Sequence, residues 1–137
     1  MNASILVLSG YILWLMLLLL LLAGFRTYWN QANKRKSLKF KADGSDLNDI
    51  GQRITRAHLN MVESFPFIGG TLLLALATDS TAITNGLAYV LLIARIIQSV
   101  IHISSVANFA ITLRFVFFLV QFGICGYWLV KIIEKFI

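Results

Sequence analysis

Apolar residues along this chain form four long runs, separated by one hydrophilic segment and two short breaks. The runs cover about residues 4–29, 50–78, 82–106 and 109–136. Each run is long enough to cross the hydrocarbon core of a bilayer as an α-helix, which takes roughly 20 apolar residues. Short breaks join antiparallel neighbours. The pattern therefore predicts an all-α fold, an integral membrane, antiparallel four-helix bundle, with residues 1–137 forming a single domain.

The composition agrees with a chain that lies mainly in a membrane. Of its 137 residues, 58% are hydrophobic and 13% are charged, and the mean hydropathy is +0.80. A soluble domain carries roughly 25% charged residues. The first run could be mistaken for a secretory signal peptide, but no positive charge precedes it and no A-x-A-like cleavage site follows it. We therefore interpret it as a retained first membrane span.

The chain has a net charge of +6, and its densest basic cluster lies in the hydrophilic segment at about residues 30–52. Its members follow the first span closely: Lys34, Arg35, Lys36, Lys39 and Lys41. Basic clusters beside a span face the cytoplasm and attract anionic lipid headgroups, so a nucleic-acid partner is not expected. The charge asymmetry predicts that this segment and the turn near Ser104 face the cytoplasm, with both termini on the other side. Lys131 and Lys135 run against this orientation.

The hydrophilic segment ends in an acidic stretch, Asp43 to Asp49. Its spacing does not fit an EF-hand, which needs oxygen ligands at alternating positions, a central glycine and a terminal glutamate. Glycine favours turns, whereas Asn and Asp favour helix N-caps. We therefore interpret Asp43-Gly44 as a turn, and Asn48 or Asp49 as the N-cap of the second helix.

Polar residues inside the second, third and fourth spans recur on one face of each predicted helix. These stripes are Arg53, Arg56, Asn60 and Glu63 on the second helix, Arg95, Gln98, His102 and Ser105 on the third, and Arg114, Gln121 and Cys125 on the fourth. On the second helix the four side chains fall within about 80° of one another. Ionisable residues at membrane depth are costly unless they face a bundle interior or a polar ligand. The stripes therefore predict one shared polar site, and the first helix, which has no stripe, is expected to be a lipid-facing scaffold.

The polar stripe on the second helix lies within the pattern R-x-x-R-A-x-x-N-x-x-E-x-F-P-F, from Arg53 to Phe67. This pattern, on the second of four spans in a short chain, resembles the signature of the MAPEG family (membrane-associated proteins in eicosanoid and glutathione metabolism). That family includes the microsomal glutathione transferases and the prostaglandin E and leukotriene C synthases. The resemblance implies a homotrimer that binds glutathione between neighbouring subunits.

The resemblance also implies roles for particular residues. The candidate glutathione-binding residues are Arg53, Arg56, Asn60, Glu63, Arg95, Gln98 and His102. Arg114 opens the fourth span, where the family carries the arginine that stabilises the thiolate, although the spacing from Arg95 to Arg114 is longer than in the synthases. His102 and Ser64 stand where synthases carry tyrosines. These departures indicate a generic or bacterial-type member rather than a dedicated eicosanoid synthase.

The chemistry of glutathione suits this set of residues. Arginine offers planar, bidentate donors to its two carboxylates, Glu63 can accept from its ammonium, and Asn60 can donate and accept. A cation near the sulfur favours thiolate over thiol, so no protein cysteine is needed. Cys125 is accordingly expected to pack inertly, His58 lies off the stripe, and no metal site is predicted.

The predicted function is a glutathione-dependent transferase or peroxidase that acts on lipophilic electrophiles, in a bacterial inner membrane rather than the endoplasmic reticulum, with its site on the cytoplasmic side. Several alternatives stay open. The stripes could form an internal salt-bridge and hydrogen-bond network that holds the bundle together, most simply Glu63 with Arg56 or Arg95. Arg53 alone could be a positive-inside anchor. His102 could be a general base or a hydrogen-bonded residue. The whole protein could instead be a non-catalytic scaffold or lipid-binding protein, or a small channel.

Overall fold

The computed structural model of the protein describes residues 2–137 and contains four α-helices in that range. They are α1 (Ala3–Ala32), α2 (Asp49–Ala77), α3 (Thr81–Ser104) and α4 (Asn108–Phe136). All four are long and apolar enough to cross a membrane. The four predicted spans are confirmed to within about three residues at each boundary. The protein is therefore an all-α, multi-pass integral membrane protein.

The central pair of the bundle is α2 and α3, which pack against each other. Helix α1 packs on α2 and α3, and α4 packs on α3 and α2, whereas no Cα atom of α1 lies within 8 Å of a Cα atom of α4 among residues 2–137. Residues 78–80 join α2 to α3, and residues 105–107 join α3 to α4. These short connections place neighbouring helices antiparallel. Helix α1 therefore covers one side of the central pair. A site can form on the other side, between α2, α3 and α4.

An apolar core lies between the helices, with Leu72, Leu91 and Trp128 fully buried. Inside a bilayer, lipid is as apolar as the core, so helix association depends on close packing and on hydrogen bonds between helices. Tyr11 of α1 provides such a bond, because its hydroxyl meets the hydroxyl of Ser64 on α2. The expectation that α1 is only a lipid-facing scaffold is therefore incomplete. This helix makes a buried polar contact although its sequence shows no polar stripe.

Polar contacts also fix the beginning of α1 against the beginning of α3. Asn85 Oδ1 accepts from the backbone N–H of Ser4 at 2.9 Å and from its hydroxyl at 2.7 Å. Asn2 Nδ2 donates to Thr81 Oγ1 at 3.2 Å. Since the first N–H groups of a helix lack partners inside it, Asn85 satisfies one of them while it joins the two helices.

The segment between α1 and α2 is folded back on the bundle. Two guanidinium groups lie over the ring of Phe40, with Arg26 5.1 Å and Arg35 4.7 Å from its centroid. Asn48 is confirmed as the N-cap of α2, since its Oδ1 accepts from the Gly51 N–H at 3.0 Å. Gly44 has φ +76°, the left-handed conformation expected of the turn residue.

The acidic part of this segment is engaged locally. The backbone N–H of Ser45 donates to Asp43 Oδ1 at 3.0 Å, and this bond lowers the pKa of the Asp43 carboxyl. Asp46 accepts from the backbone N–H of Lys41 at 3.2 Å. Both carboxylates therefore shape the turn before α2, which agrees with the prediction of a turn at Asp43-Gly44.

Lys135 on α4 reaches the turn at the end of α2. Its ammonium donates to the carbonyl of Asp79 at 2.7 Å, to the carbonyl of Thr78 at 3.3 Å and to the hydroxyl of Ser80 at 3.1 Å. The last carbonyls of a helix have no partners inside it and form the negative end of its dipole. This contact gives a structural reason for a lysine at the end of the chain that the charge asymmetry did not favour.

Replacing Lys135 with glutamine should therefore lower the stability of the bundle by about 0.3–1 kcal/mol, the usual contribution of a cation at a helix C-terminus. The measurement is unfolding of the detergent-solubilised protein by heat or by a denaturing detergent. Lys131→Gln is the matched control, because Lys131 contacts only the exposed Glu134, at 3.2 Å. Equal loss in the two variants would contradict the capping role of Lys135.

Candidate functional site

A closed ring of polar side chains joins the three helices that carry the predicted stripes. Arg95 of α3 donates from Nε to Gln121 Oε1 at 2.8 Å and from Nη1 to Asn60 Oδ1 at 2.6 Å. Gln98 donates from Nε2 to Asn60 Oδ1 at 3.3 Å and accepts from Gln121 Nε2 at 2.7 Å. The polar stripes of α2, α3 and α4 therefore do meet, and the amide of Gln121 is the contribution of α4.

Arg95 is fully buried in this ring, at 0% exposure. It has no carboxylate partner, since Lys131 and Glu134 form the one ion pair that the structure shows for residues 2–137. The ion pair of Glu63 with Arg56 or Arg95 is therefore absent within residues 2–137, whereas the hydrogen-bond network of the same alternative is present around Arg95. The charge of Arg95 is met by neutral amide oxygens, and its Nη2 has no hydrogen-bond partner in the described chain.

A cavity of about 400 Å³ lies beside the ring, between α2, α3 and α4. Its polar lining residues are Asn60, Glu63, Gln98, His102 and Arg114, and its apolar lining residues are Ile111, Phe115 and Phe118. Five predicted site residues thus surround one space. Arg95 does not line the cavity and lies behind Asn60 and Gln98. Phe115 and Phe118 form an apolar side of the cavity, and Glu63 and Arg114 place charged groups along its lining.

Arg114 and His102 form a pair at one edge of this cavity. Arg114 Nη1 lies 2.8 Å from His102 Nδ1. A guanidinium group can only donate, so Nδ1 must accept, and His102 is neutral with its proton on Nε2. Of the two roles left open for His102, the structure shows the hydrogen-bonded one. This bond orients one end of the Arg114 guanidinium and leaves its other N–H groups available to a ligand.

A second, smaller cavity of about 230 Å³ lies at the end of the bundle that carries the 33–48 segment. Arg53 and Arg56 line it, together with Asp49, Gln52 and Val106. Arg53 Nε donates to the carbonyl of Ile103 at 2.7 Å, which satisfies one of the last carbonyls of α3. Arg53 therefore ties α2 to α3 in addition to facing this cavity.

Arg56 and Glu63 are exposed on the surface of the single chain and make no hydrogen bond within residues 2–137. Both lie inside a membrane-spanning helix. A charged side chain at membrane depth is expensive when it faces lipid. The single chain supplies neither of these two side chains with a hydrogen-bond partner within residues 2–137.

Other predicted residues lie outside the cavities. The hydroxyl of Ser105 accepts from the backbone N–H of Ala107 at 3.1 Å and shapes the turn after α3. Cys125 is buried in the apolar core beside Trp128. His58 is half-buried and lines neither of the two polar cavities. In the described part of the chain no group of three or more His, Cys, Asp or Glu side chains could hold a metal ion.

The site and the fold together define a class: an integral membrane four-helix protein with a polar site buried between three of its helices. The sequence profile of the MAPEG family matches residues 4–133, nearly the whole chain. The chain therefore belongs to the MAPEG family, which confirms the resemblance carried by the second helix. Comparison with curated proteins and comparison with solved structures gave no significant match.

Proposed function

We propose that the protein binds glutathione in the cavity beside the polar ring and activates its thiol toward a lipophilic substrate. The observation that carries this proposal is the lining of that cavity. Arg114 and Glu63 supply opposite charges, Asn60 supplies an amide, and Phe115 supplies part of an apolar wall. Membership of a family of glutathione and eicosanoid metabolism supports the same ligand.

Bound glutathione would supply the thiolate that attacks an electrophilic carbon or a peroxide oxygen. Arg114 is the residue we assign to hold that thiolate, because a neighbouring cation lowers the free energy of the charged sulfur. The bond from Arg114 to His102 at 2.8 Å fixes the direction of the guanidinium. Phe115 and Phe118, on the same helix as Arg114, would place the lipophilic substrate beside the sulfur.

The remaining charged residues suit the two ends of the tripeptide. Arg56 can bind a carboxylate through two N–H groups, and Arg53 keeps further N–H groups beyond the one that it donates to Ile103. Glu63 can accept from the ammonium group. The donors and acceptors of the ligand and of the two cavities therefore match in kind and in sign.

We infer that a neighbouring subunit completes the site, in a homotrimer. The support is the exposure of Arg56 and Glu63 in the single chain, because charged groups at membrane depth are normally covered by protein or ligand. The basic 33–48 segment lies at the same end as Arg53 and Arg56, so the positive-inside rule supports a site that opens toward the cytoplasm. A bacterial inner membrane is part of the same proposal.

A second candidate function has its own observation. Arg53 and Arg95 already have hydrogen-bond partners in the protein, as expected of residues that hold a bundle together. A non-catalytic scaffold or lipid-binding protein of the same fold would need no more than that. Such a protein would show no thiol-dependent turnover with any lipophilic electrophile.

Glutathione binding by calorimetry, in lipid nanodiscs, is the experiment that tests the proposed function. Arg56→Ala should weaken binding about 10-fold or more, since a charge-assisted hydrogen bond contributes about 1.5–3 kcal/mol. Lys36→Ala is the matched control, because it removes one positive charge from the exposed loop outside both cavities. Equal affinities of Arg56→Ala and Lys36→Ala for glutathione would refute the assignment of Arg56.

A further inference from the structure

The hydrogen bonds of Asn60 leave it only one kind of group to offer a ligand. Its Oδ1 accepts from Arg95 Nη1 at 2.6 Å and from Gln98 Nε2 at 3.3 Å. An amide oxygen has two lone pairs, so both are used. Since Asn60 also lines the cavity, the group that remains for a ligand there is Nδ2, which can only donate.

The guanidinium group of Arg95 determines which way each side-chain amide of the ring is turned. Arg95 can only donate, so both Asn60 and Gln121 must turn an oxygen toward it. Gln121 then presents its NH₂ group to Gln98 Oε1 at 2.7 Å and to the carbonyl of Phe117 at 2.9 Å. Gln98 is left with its NH₂ group toward Asn60. The assignment of oxygen and nitrogen in each of these amides therefore follows from which groups can donate and which can accept, and the flipped orientations are ruled out.

Gln121 holds Arg95 in place without touching the cavity. It is fully buried, at 0% exposure, and its Oε1 is the acceptor for Arg95 Nε at 2.8 Å. Both N–H groups of the Gln121 amide donate to protein, to Gln98 and to Phe117, and its Oε1 accepts from Arg95, so that only one lone pair of Oε1 is left without a partner. The contribution of Gln121 to ligand binding must pass through its ring partners, either Arg95 and then Asn60, or Gln98, which lines the cavity.

We propose that Arg95, held by Gln121, is a positioning residue that makes Asn60 an obligatory hydrogen-bond donor to the ligand. The ligand group beside Asn60 is then an acceptor, which we assign to one of the two carboxylates of glutathione, because a charged acceptor forms the stronger hydrogen bond. The His102 Nε2–H adds a second donor to the same wall. An ammonium group is excluded from this wall and is left to Glu63, the one carboxylate among the described residues that line the cavity. The proposal rests on glutathione as ligand, and it assigns which end of the ligand each wall receives.

The polarity of the ring can be tested without a ligand, through the melting temperatures of Asn60→Asp and Asn60→Leu. Aspartate offers oxygen atoms to both Arg95 and Gln98, so Asn60→Asp should melt at or above the wild-type temperature, while Asn60→Leu should melt below it. If Asn60 instead turned its NH₂ group toward the side-chain oxygen of Gln98, Asn60→Asp would place oxygen against oxygen at that contact. A melting temperature of Asn60→Asp below that of Asn60→Leu would overturn the proposal.

The role toward the ligand is tested by the coupling between protein variants and glutathione analogues. We compare glutathione with its N-acetyl form, which lacks the ammonium, and with forms in which one carboxylate is an amide. Asn60→Leu should weaken the binding of glutathione about 10-fold, and it should weaken the binding of the N-acetyl form by the same factor. For one of the carboxyl-amidated forms, the loss of affinity should be at least fivefold smaller. Loss of the Asn60→Leu effect on the N-acetyl form alone would overturn the assignment.

Gln121→Leu and Arg95→Lys separate positioning from a purely structural role. Gln121→Leu should reproduce the same pattern across the analogues from outside the cavity, and Arg95→Lys should restore part of the affinity that Arg95→Met loses. Equal weakening of all analogues by Gln121→Leu would show a structural role only and would overturn the positioning claim. If wild-type protein binds no analogue, the proposed function fails, and the melting temperatures still decide the polarity of the ring.

Discussion

Arg114→Ala should lower the rate of thiol addition to a lipophilic electrophile roughly 100- to 1,000-fold, the usual loss when one donor to a developing anion is removed. Arg114 is the only arginine or lysine among the described residues that line the larger cavity. No other side chain there can replace its charge near the sulfur. The measurement is steady-state turnover of glutathione with a chromogenic electrophile in detergent or nanodiscs.

The matched controls for Arg114 separate charge from geometry. Arg114→Lys keeps a cation but loses the bond geometry toward His102, which is 2.8 Å in the wild type, so it should retain more activity than Arg114→Ala. Arg35→Ala removes an arginine that packs on Phe40 in the loop, far from the cavity in sequence. Activity of Arg114→Ala above a tenth of the wild type would remove Arg114 from the thiolate site.

Glu63→Gln should weaken glutathione binding about 10- to 100-fold, because a hydrogen bond between charged groups contributes about 1.5–3 kcal/mol. Glu63 lines the larger cavity and has no partner within residues 2–137. Its carboxylate is therefore free to accept from the ammonium of the ligand. The measurement is the dissociation constant by calorimetry in nanodiscs.

Two comparisons make the Glu63 result specific. Glu134→Gln removes the same charge at the far end of α4, where Glu134 meets only Lys131 at 3.2 Å, and it should leave glutathione affinity unchanged. N-acetylglutathione lacks the ammonium, so wild type and Glu63→Gln should bind it with similar affinity. If Glu63→Gln weakens glutathione and its N-acetyl form to the same extent, Glu63 does not receive the ammonium.

Much of the fold follows from the sequence because the bilayer restricts the choices. Irregular backbone in contact with lipid leaves polar groups unsatisfied, so long apolar runs must be helices. The N-cap at Asn48 and the turn at Gly44 were predictable from side-chain and backbone preferences that act over a few residues. Polar stripes of α2, α3 and α4 were predictable from helical periodicity alone.

The partners within the site were less predictable, because a helical wheel gives the face of a side chain but not its height against a neighbouring helix. Arg95 was paired with Glu63 as an alternative, whereas the structure pairs it with Asn60 and Gln121. A buried charge next to neutral amides has no sequence signal that distinguishes it from an ion pair. Tyr11 was missed for a related reason, since a lone tyrosine in an apolar helix shows no periodicity.

The departures from the family's synthases now have a structural setting. His102, where the synthases carry a tyrosine, orients Arg114 through its ring nitrogen. Ser64, at the other position, uses its hydroxyl to bind Tyr11 inside the bundle and not to line the cavity.

The most direct test of glutathione activation is the ultraviolet difference spectrum of glutathione on addition of the purified protein at neutral pH, recorded for wild type and for Arg114→Ala. The proposed function predicts a thiolate band with wild-type protein that Arg114→Ala abolishes while glutathione remains bound. Binding of glutathione to wild-type protein without that band, or an equal band with Arg114→Ala, would contradict activation of the thiol by Arg114.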